Sequence, residues 1–118
     1  MISGSGGMNG MMYWRGHPSA YDEWAKIGNP GWSYKEVKKY FERAENVVNR
    51  NLTTFEKFNT GNPLVVDQFP HQPPFAGELL KAASELGYKT SGLREYNHTG
   101  FARAPVLVKD GQRGSTSR

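Results

Sequence analysis

The sequence predicts an α/β chain, an incomplete and mainly helical piece with three amphipathic helices, two or more short strands and a thin core that these elements do not obviously close. Three observations carry that expectation. Capping signals stand just ahead of stretches whose apolar residues recur every three or four positions, as in helices with one buried stripe. Two short runs, residues 63–67 (Pro-Leu-Val-Val-Asp) and 104–109 (Ala-Pro-Val-Leu-Val-Lys), are rich in Val and Leu and bounded by turn formers, as strands are. Hydrophobic residues make up 36% of the 118, and 14 glycines and 7 prolines interrupt them, so little apolar area is left to bury.

The chain opens on Met-Ile-Ser-Gly-Ser-Gly-Gly-Met-Asn-Gly-Met-Met over residues 1–12. Small residues leave backbone N–H groups open to an anion such as a phosphate. Ser19 and Asp22 have capping-box spacing, which predicts a first helix over 20–27 with Gly28 as its stop. After the turn at 29–32, a second box of Ser33 and Glu36 starts a helix over 34–46. Its inward stripe is Val37, Tyr40, Phe41, Ala44 and Val48, and its wet side carries Lys38, Lys39, Glu42 and Arg43.

Residues 49–62 are polar, with Leu52, Phe55 and Phe58 as anchors, and read as irregular. Residues 63–67 form the first strand. Pro70, Pro73 and Pro74 lead into a third helix over 75–86, with Phe75, Leu79, Ala82, Ala83 and Leu86 inward and Gly87 as its stop. The second strand, 104–109, carries Pro105, which suits an edge, and ends in an Asp110-Gly111 turn. Residues 112–118 hold no apolar anchor, and nothing in the pattern shows which strand pairs with which.

Fifteen Lys and Arg against eleven Asp and Glu give a net charge of +4. The charges are interleaved, so they describe a solvated surface more than a nucleic-acid face. With no cysteine, disulfide scaffolds, thiolate metal sites and thiol catalysis are excluded. No apolar run is long enough to span a bilayer. The triplets starting at Asn51 and Asn97 are glycosylation sequons and are compatible with a secreted chain.

Blocks in a fixed order resemble one family. They are the Gly4–Gly16 stretch, Tyr21-Asp-Glu-Trp24, Gly31-Trp-Ser-Tyr-Lys-Glu-Val37, Tyr40-Phe41, Glu45-Asn46, and then Pro63-Leu-Val-Val66, Ala83-Ser-Glu-Leu-Gly87, Thr99-Gly-Phe101 and Gly111-Gln-Arg-Gly-Ser-Thr116. Together they are similar to the glucose-methanol-choline (GMC) flavoprotein oxidoreductases, and in texture to the insect glucose-dehydrogenase-like branch. The resemblance implies a parent with an FAD-binding Rossmann-like domain and an α+β substrate domain. It further implies that this chain is an internal piece of it: residues 1–18 an FAD-contacting loop segment, 19–118 a helical connection and the start of the substrate-binding part. The family's Gly-x-Gly-x-x-Gly unit would precede Met1, and its catalytic histidine pair would follow Arg118, so no catalytic residue is assigned within the chain.

By the same resemblance, Ser3, Gly4, Ser5 and Gly6 would lie at the FAD pyrophosphate, and Met8, Asn9, Gly10, Met11 and Met12 along the flavin. Ser3 replaces a usual glycine, while Gly6 and Gly7 replace usual hydroxyl residues, so backbone contacts would dominate. Met8 stands where some relatives tether FAD through histidine, which implies non-covalent FAD. The substrate implied is a small alcohol or sugar, with neither nucleic acid nor a membrane span involved. Arg15 reads as a phosphate cation or as the partner of a carboxylate such as Asp22. Trp14, Trp24 and Trp32 read as packing residues, and His17, His71 and His98 are too scattered for a metal or triad site. The competing reading is a small basic interaction or RNA-binding module using Tyr13, Trp14, Arg15, Lys38 and Lys39.

Overall fold

A computed structural model describes residues 3–49, 52, 64–90 and 99–114. Its helices are α1 (Pro18–Lys26), α2 (Tyr34–Ala44) and α3 (Pro74–Glu85), and its strands are β1 (Glu45–Val47), β2 (Leu64–Val66), β3 (Val108–Lys109) and β4 (Gln112–Arg113). The chain is a mixed α/β piece, as the sequence predicts.

Helix α1 begins earlier than its capping box suggests. Pro18 takes the first helical position, where its fixed φ and missing N–H cost nothing, and the His17 side chain accepts from Ser19 N at 3.2 Å. His17 therefore replaces Ser19 as the cap. Asp22 serves the next helix instead, its Oδ1 accepting from Tyr34 N at 2.9 Å. At the start of α2 the expected box is present: the Glu36 carboxylate accepts from Ser33 N at 3.3 Å and from the Ser33 hydroxyl at 2.5 Å.

Helix α2 stops at Ala44, two residues short of the expected end. Glu45 turns to extended backbone (φ −78°, ψ 140°) and β1 runs parallel to β2 with Glu45 opposite Leu64 and Val47 opposite Val66. Val48 extends the sheet rather than the helical stripe, its N–H bonding Val66 O at 3.1 Å. Tyr40 also departs from the predicted stripe and is exposed. Tyr21 of α1 packs on Trp24, Tyr34 and Phe41, with ring centroids 5.5, 5.7 and 5.8 Å away, and joins the two helices.

The sheet continues past β2. Asp67 and Val106 exchange N–H···O bonds of 2.7 and 2.9 Å, and Val106 also faces Met12 in an antiparallel bridge. The rows therefore run β1, β2 with Asp67, Val106, and Met12 at the edge. Pro105 takes no edge role of its own: it is buried, and its carbonyl accepts from Tyr13 N at 2.8 Å. Residues 112 and 113, which carry no apolar anchor, are held as β4 by the β3–β4 hairpin, whose turn residues Asp110 (φ 51°) and Gly111 (φ 74°) have the paired left-handed conformation such hairpins need.

The core is small, as composition requires. Val47, Leu52 and Val66 form its centre, with Tyr13 and Leu107 packed against them. Helix α3 buries Ala83, as predicted, but the rest of its inward face differs: Ala76 and Leu80 are half-buried, while Phe75, Leu79, Ala82 and Leu86 are exposed. Both faces are apolar, so periodicity alone does not choose between them. Gly87 (φ 83°) ends the helix, as expected. Phe55, Phe58, His98 and both sequon asparagines lie outside the described residues. No helix among the described residues is long and apolar enough to cross a membrane.

Candidate functional site

The opening loop is an ordered turn laid against the sheet edge. Gly4–Gly7 make one 3-10 turn, and Ser5 O closes it by accepting from Met8 N and Asn9 N at 3.0 and 2.9 Å. Asn9 then bends the chain, its Oδ1 accepting from Met11 N at 2.9 Å. That local bond supports Met11 in the left-handed region (φ 62°), where a side chain is otherwise strained. Leu107 N donates to Met11 O at 2.8 Å and Tyr13 N to Pro105 O at 2.8 Å. In an antiparallel pair this pattern leaves the intervening Met12 with its own N–H and C=O directed to the open edge.

The nine residues singled out at the sequence level thus lie in one continuous surface. Ser3, Gly6 and Met11 are half-buried, and Gly4, Ser5, Met8, Asn9, Gly10 and Met12 exposed. Met8 is 74% and Met12 65% exposed, an apolar rim beside backbone donors. Gly4 needs to be glycine for conformation (φ 53°). Gly6 and Gly10 do not: neither has a positive φ, and a Cβ on either would meet no atom within 4 Å. Among the described residues nothing demands glycine there, which fits close approach of a flat or phosphorylated ligand from outside.

From Met12 onward side chains alternate as in a strand, with Met12 and Trp14 outward and Tyr13 and Arg15 inward. The inward pair meets Glu45, the first residue of β1, which is 1% exposed. Glu45 Oε1 accepts from the Tyr13 hydroxyl at 2.6 Å and from Arg15 Nε at 2.8 Å, and Oε2 accepts from Arg15 Nη2 at 2.5 Å. Burial, then the hydrogen bond and charge of Glu45, push the Tyr13 hydroxyl well above its ordinary range. Burial opposes the charge on Arg15, but hydrogen bonding and attraction to Glu45 outweigh it and hold the guanidinium charged.

Arg15 is accordingly bound to Glu45, not to Asp22, and its bidentate fork is turned away from the loop's open face. The same arrangement withdraws Tyr13 and Arg15 from an RNA-binding surface. Of the other residues that reading needs, Lys39 Nζ lies 5.1 Å from the centroid of its own neighbour Tyr40. His17 caps α1 and His71 is exposed on a loop. Among the described residues no group of three or more His, Asp and Glu could hold a metal ion. Trp24 and Trp32 pack edge to face at 5.5 Å, yet both, like Trp14, are exposed, so none of the three is a core packing residue among the described residues.

Sequence reasoning missed Arg113. Its Nη1 reaches Asn9 O at 2.7 Å, Asn9 Oδ1 at 3.1 Å and Gly6 O at 3.3 Å, across more than a hundred residues of chain. The signal available was the Asp110-Gly111 turn, which folds Arg113 back opposite Val108.

A small-residue turn at the open edge of a short sheet, with helices beside it, makes the chain a mixed α/β piece. An FAD-dependent oxidoreductase from Chaetomium thermophilum shares its fold, with a TM-score of 0.74 and 22% identity over 94% of this chain and 21% of that one. The chain belongs to the GMC oxidoreductase family, whose profile it matches over residues 1–118. It is 40% identical over 118 residues to a glucose dehydrogenase [FAD, quinone] of Drosophila pseudoobscura pseudoobscura, covering 100% of this chain and 19% of the relative. It is also 34% identical over 127 residues to an oxygen-dependent choline dehydrogenase of Vibrio vulnificus (strain YJ016), covering 99% of this chain and 21% of that relative. The chain spans about a fifth of the length of these curated relatives.

Proposed function

We propose that the chain supplies one wall of the FAD site of an enzyme that oxidises the CH–OH group of an alcohol or sugar. The observation that carries this reading is the 3–12 loop: glycines that packing does not require, a backbone donor at Met12 on the open edge, and an apolar rim of Met8 and Met12. Family membership supplies the cofactor, since the similar insect and bacterial enzymes are named for FAD, glucose and choline. FAD, when bound, accepts hydride from the alcohol carbon.

The chain's own residues bind and orient. Ser3, Gly4, Ser5 and Gly6 present main chain and small hydroxyls to the pyrophosphate. Asn9, Gly10, Met11 and Met12 run beside the flavin ring, where N–H donors favour negative charge on the reduced ring. Met8 shields the ring edge, and a thioether offers no nitrogen for a covalent tether, so the cofactor is held non-covalently. Tyr13, Arg15 and Glu45 keep the strand leaving the loop fixed to the helical scaffold that follows.

The test is to purify the full-length polypeptide and record its visible spectrum with glucose, choline and simple alcohols under anaerobic conditions. The expected result is a flavin spectrum that one of these donors bleaches, with all flavin released into the supernatant by acid precipitation. A colourless protein that reconstitution with FAD leaves colourless refutes the cofactor assignment. Flavin retained in the acid pellet refutes the non-covalent one.

A further inference from the structure

We infer that Arg113 is a positioning residue for the cofactor loop, a clamp through which the β3–β4 hairpin sets the direction of the loop's peptide planes. The inference rests on the FAD reading above and deepens it. One nitrogen, Nη1, lies within 3.3 Å of three oxygens: Asn9 O, Asn9 Oδ1 and Gly6 O. Among the described residues no carboxylate pairs with Arg113, so these oxygens are its partners.

The consequence follows from the planar trans peptide, in which C=O and the next N–H point in opposite directions. Drawing Asn9 O toward Arg113 turns the Gly10 N–H the other way. Among the described residues nothing accepts from Gly10 N. Met12 N–H, one strand step on, is directed to the open edge by the bridge to Val106. The clamp therefore gathers the loop's carbonyls, which would repel a phosphate or a reduced flavin, on one side and leaves donors on the other.

A loop with glycine at 4, 6, 7 and 10 needs such a device. Glycine loses more backbone freedom on ordering than any other residue, and side-chain packing could not supply the restraint at Gly6 or Gly10, where an added Cβ would meet no atom within 4 Å. Arg113 supplies the restraint from the β3–β4 hairpin, and its Asn9 contact also holds the Oδ1 that supports the strained Met11.

The test compares wild type, Arg113→Met and Arg113→Lys in the full-length polypeptide, stripped of flavin and titrated with FAD by fluorescence. Amide exchange over residues 4–12 is followed in the flavin-free state. R113M is expected to weaken FAD binding about tenfold, the scale of one charge-assisted hydrogen bond network at a part-exposed site, and to speed exchange of the loop amides. R113K, which keeps a charged donor, is expected to recover part of both effects. FAD affinity and loop exchange unchanged in R113M overturn the clamp. If R113M fails to fold, Arg113→Ala, which also removes every donor, decides: loop exchange and affinity equal to wild type then leave the network without a positioning role. A wild-type protein that takes up no FAD, with R113M still speeding loop exchange, overturns the cofactor reading and the purpose given to the clamp while leaving the contact itself in place.

Discussion

Replacing Glu45 by glutamine keeps the side chain's shape and removes its charge, which isolates what the carboxylate does. In the folded chain the Glu45 side chain is 2% exposed and that of Arg15 8%. The carboxylate accepts hydrogen bonds from Tyr13 and from two nitrogens of Arg15, at 2.5 to 2.8 Å. Glutamine retains one acceptor oxygen and turns an NH2 group toward a donor. The Arg15 guanidinium, held charged, then sits buried without a counter-charge. Removing one member of a buried pair costs about 3 kcal/mol or somewhat more. For a urea dependence of about 1–3 kcal/mol per molar, this is a fall in midpoint on the order of 1 M or more. Denaturation followed by tryptophan fluorescence reads it, with Trp14 beside the pair. Replacing both partners by apolar residues of similar volume, Arg15→Met with Glu45→Leu, is expected to recover most of the loss, since desolvation of both charges is then avoided. An E45Q midpoint within about 0.2 M of wild type, which at that urea dependence is a few tenths of a kcal/mol, would refute the argument.

Three further outcomes follow from the same geometry. Gly6→Val and Gly10→Val are expected to leave thermal stability of the flavin-free polypeptide nearly unchanged, because a Cβ there meets nothing within 4 Å, and to weaken FAD binding at least about tenfold; a loss of stability without a loss of affinity would contradict the placement of the cofactor. Tyr13 is pushed up from 10.0, so the folded chain keeps a proton that the unfolded chain releases; its contribution is complete below about pH 10 and is lost as pH rises further. Tyr13→Phe should flatten the alkaline fall in stability, and identical alkaline slopes for the two proteins would count against the Tyr13–Glu45 bond. His17→Ala removes the cap of α1 and is expected to cost about 1 kcal/mol, with His17→Asn restoring most of it in a thermal melt.

Local chemistry made the helices legible. Ser33 with Glu36, Pro74, Gly28 and Gly87 each act within one turn of chain, and all four start or end an element where the residues themselves indicate. The failures come where a distant partner decides. Val48 continues a helical spacing, yet the backbone leaves the helix at Glu45, because the carboxylate is buried on Tyr13 and Arg15 and β1 pairs with β2. Ser19 has a capping-box spacing that Pro18 pre-empts. Helix α3 offers two apolar faces, and only packing shows that Leu80 turns inward and Phe75 outward.

The candidate site divides the same way. Its composition is local, so small residues followed by Asn-Gly-Met-Met were visible as a backbone-donor loop. Its shape is not local. The loop's direction depends on Val106, which gives Met12 an edge position, on Glu45, which anchors the strand behind it, and on Arg113, which gathers its carbonyls. These three come from separate parts of the chain, and although each lies in a stretch the sequence marks, nothing in those stretches shows that they meet at the loop. A glycine-rich loop states what can approach it, whereas the residues that aim it must be complementary in geometry alone. Substitutions at Gly6 or Gly10 should therefore act on ligand access, and substitutions at Glu45 or Arg113 on orientation, even though all four bear on the same few peptide planes.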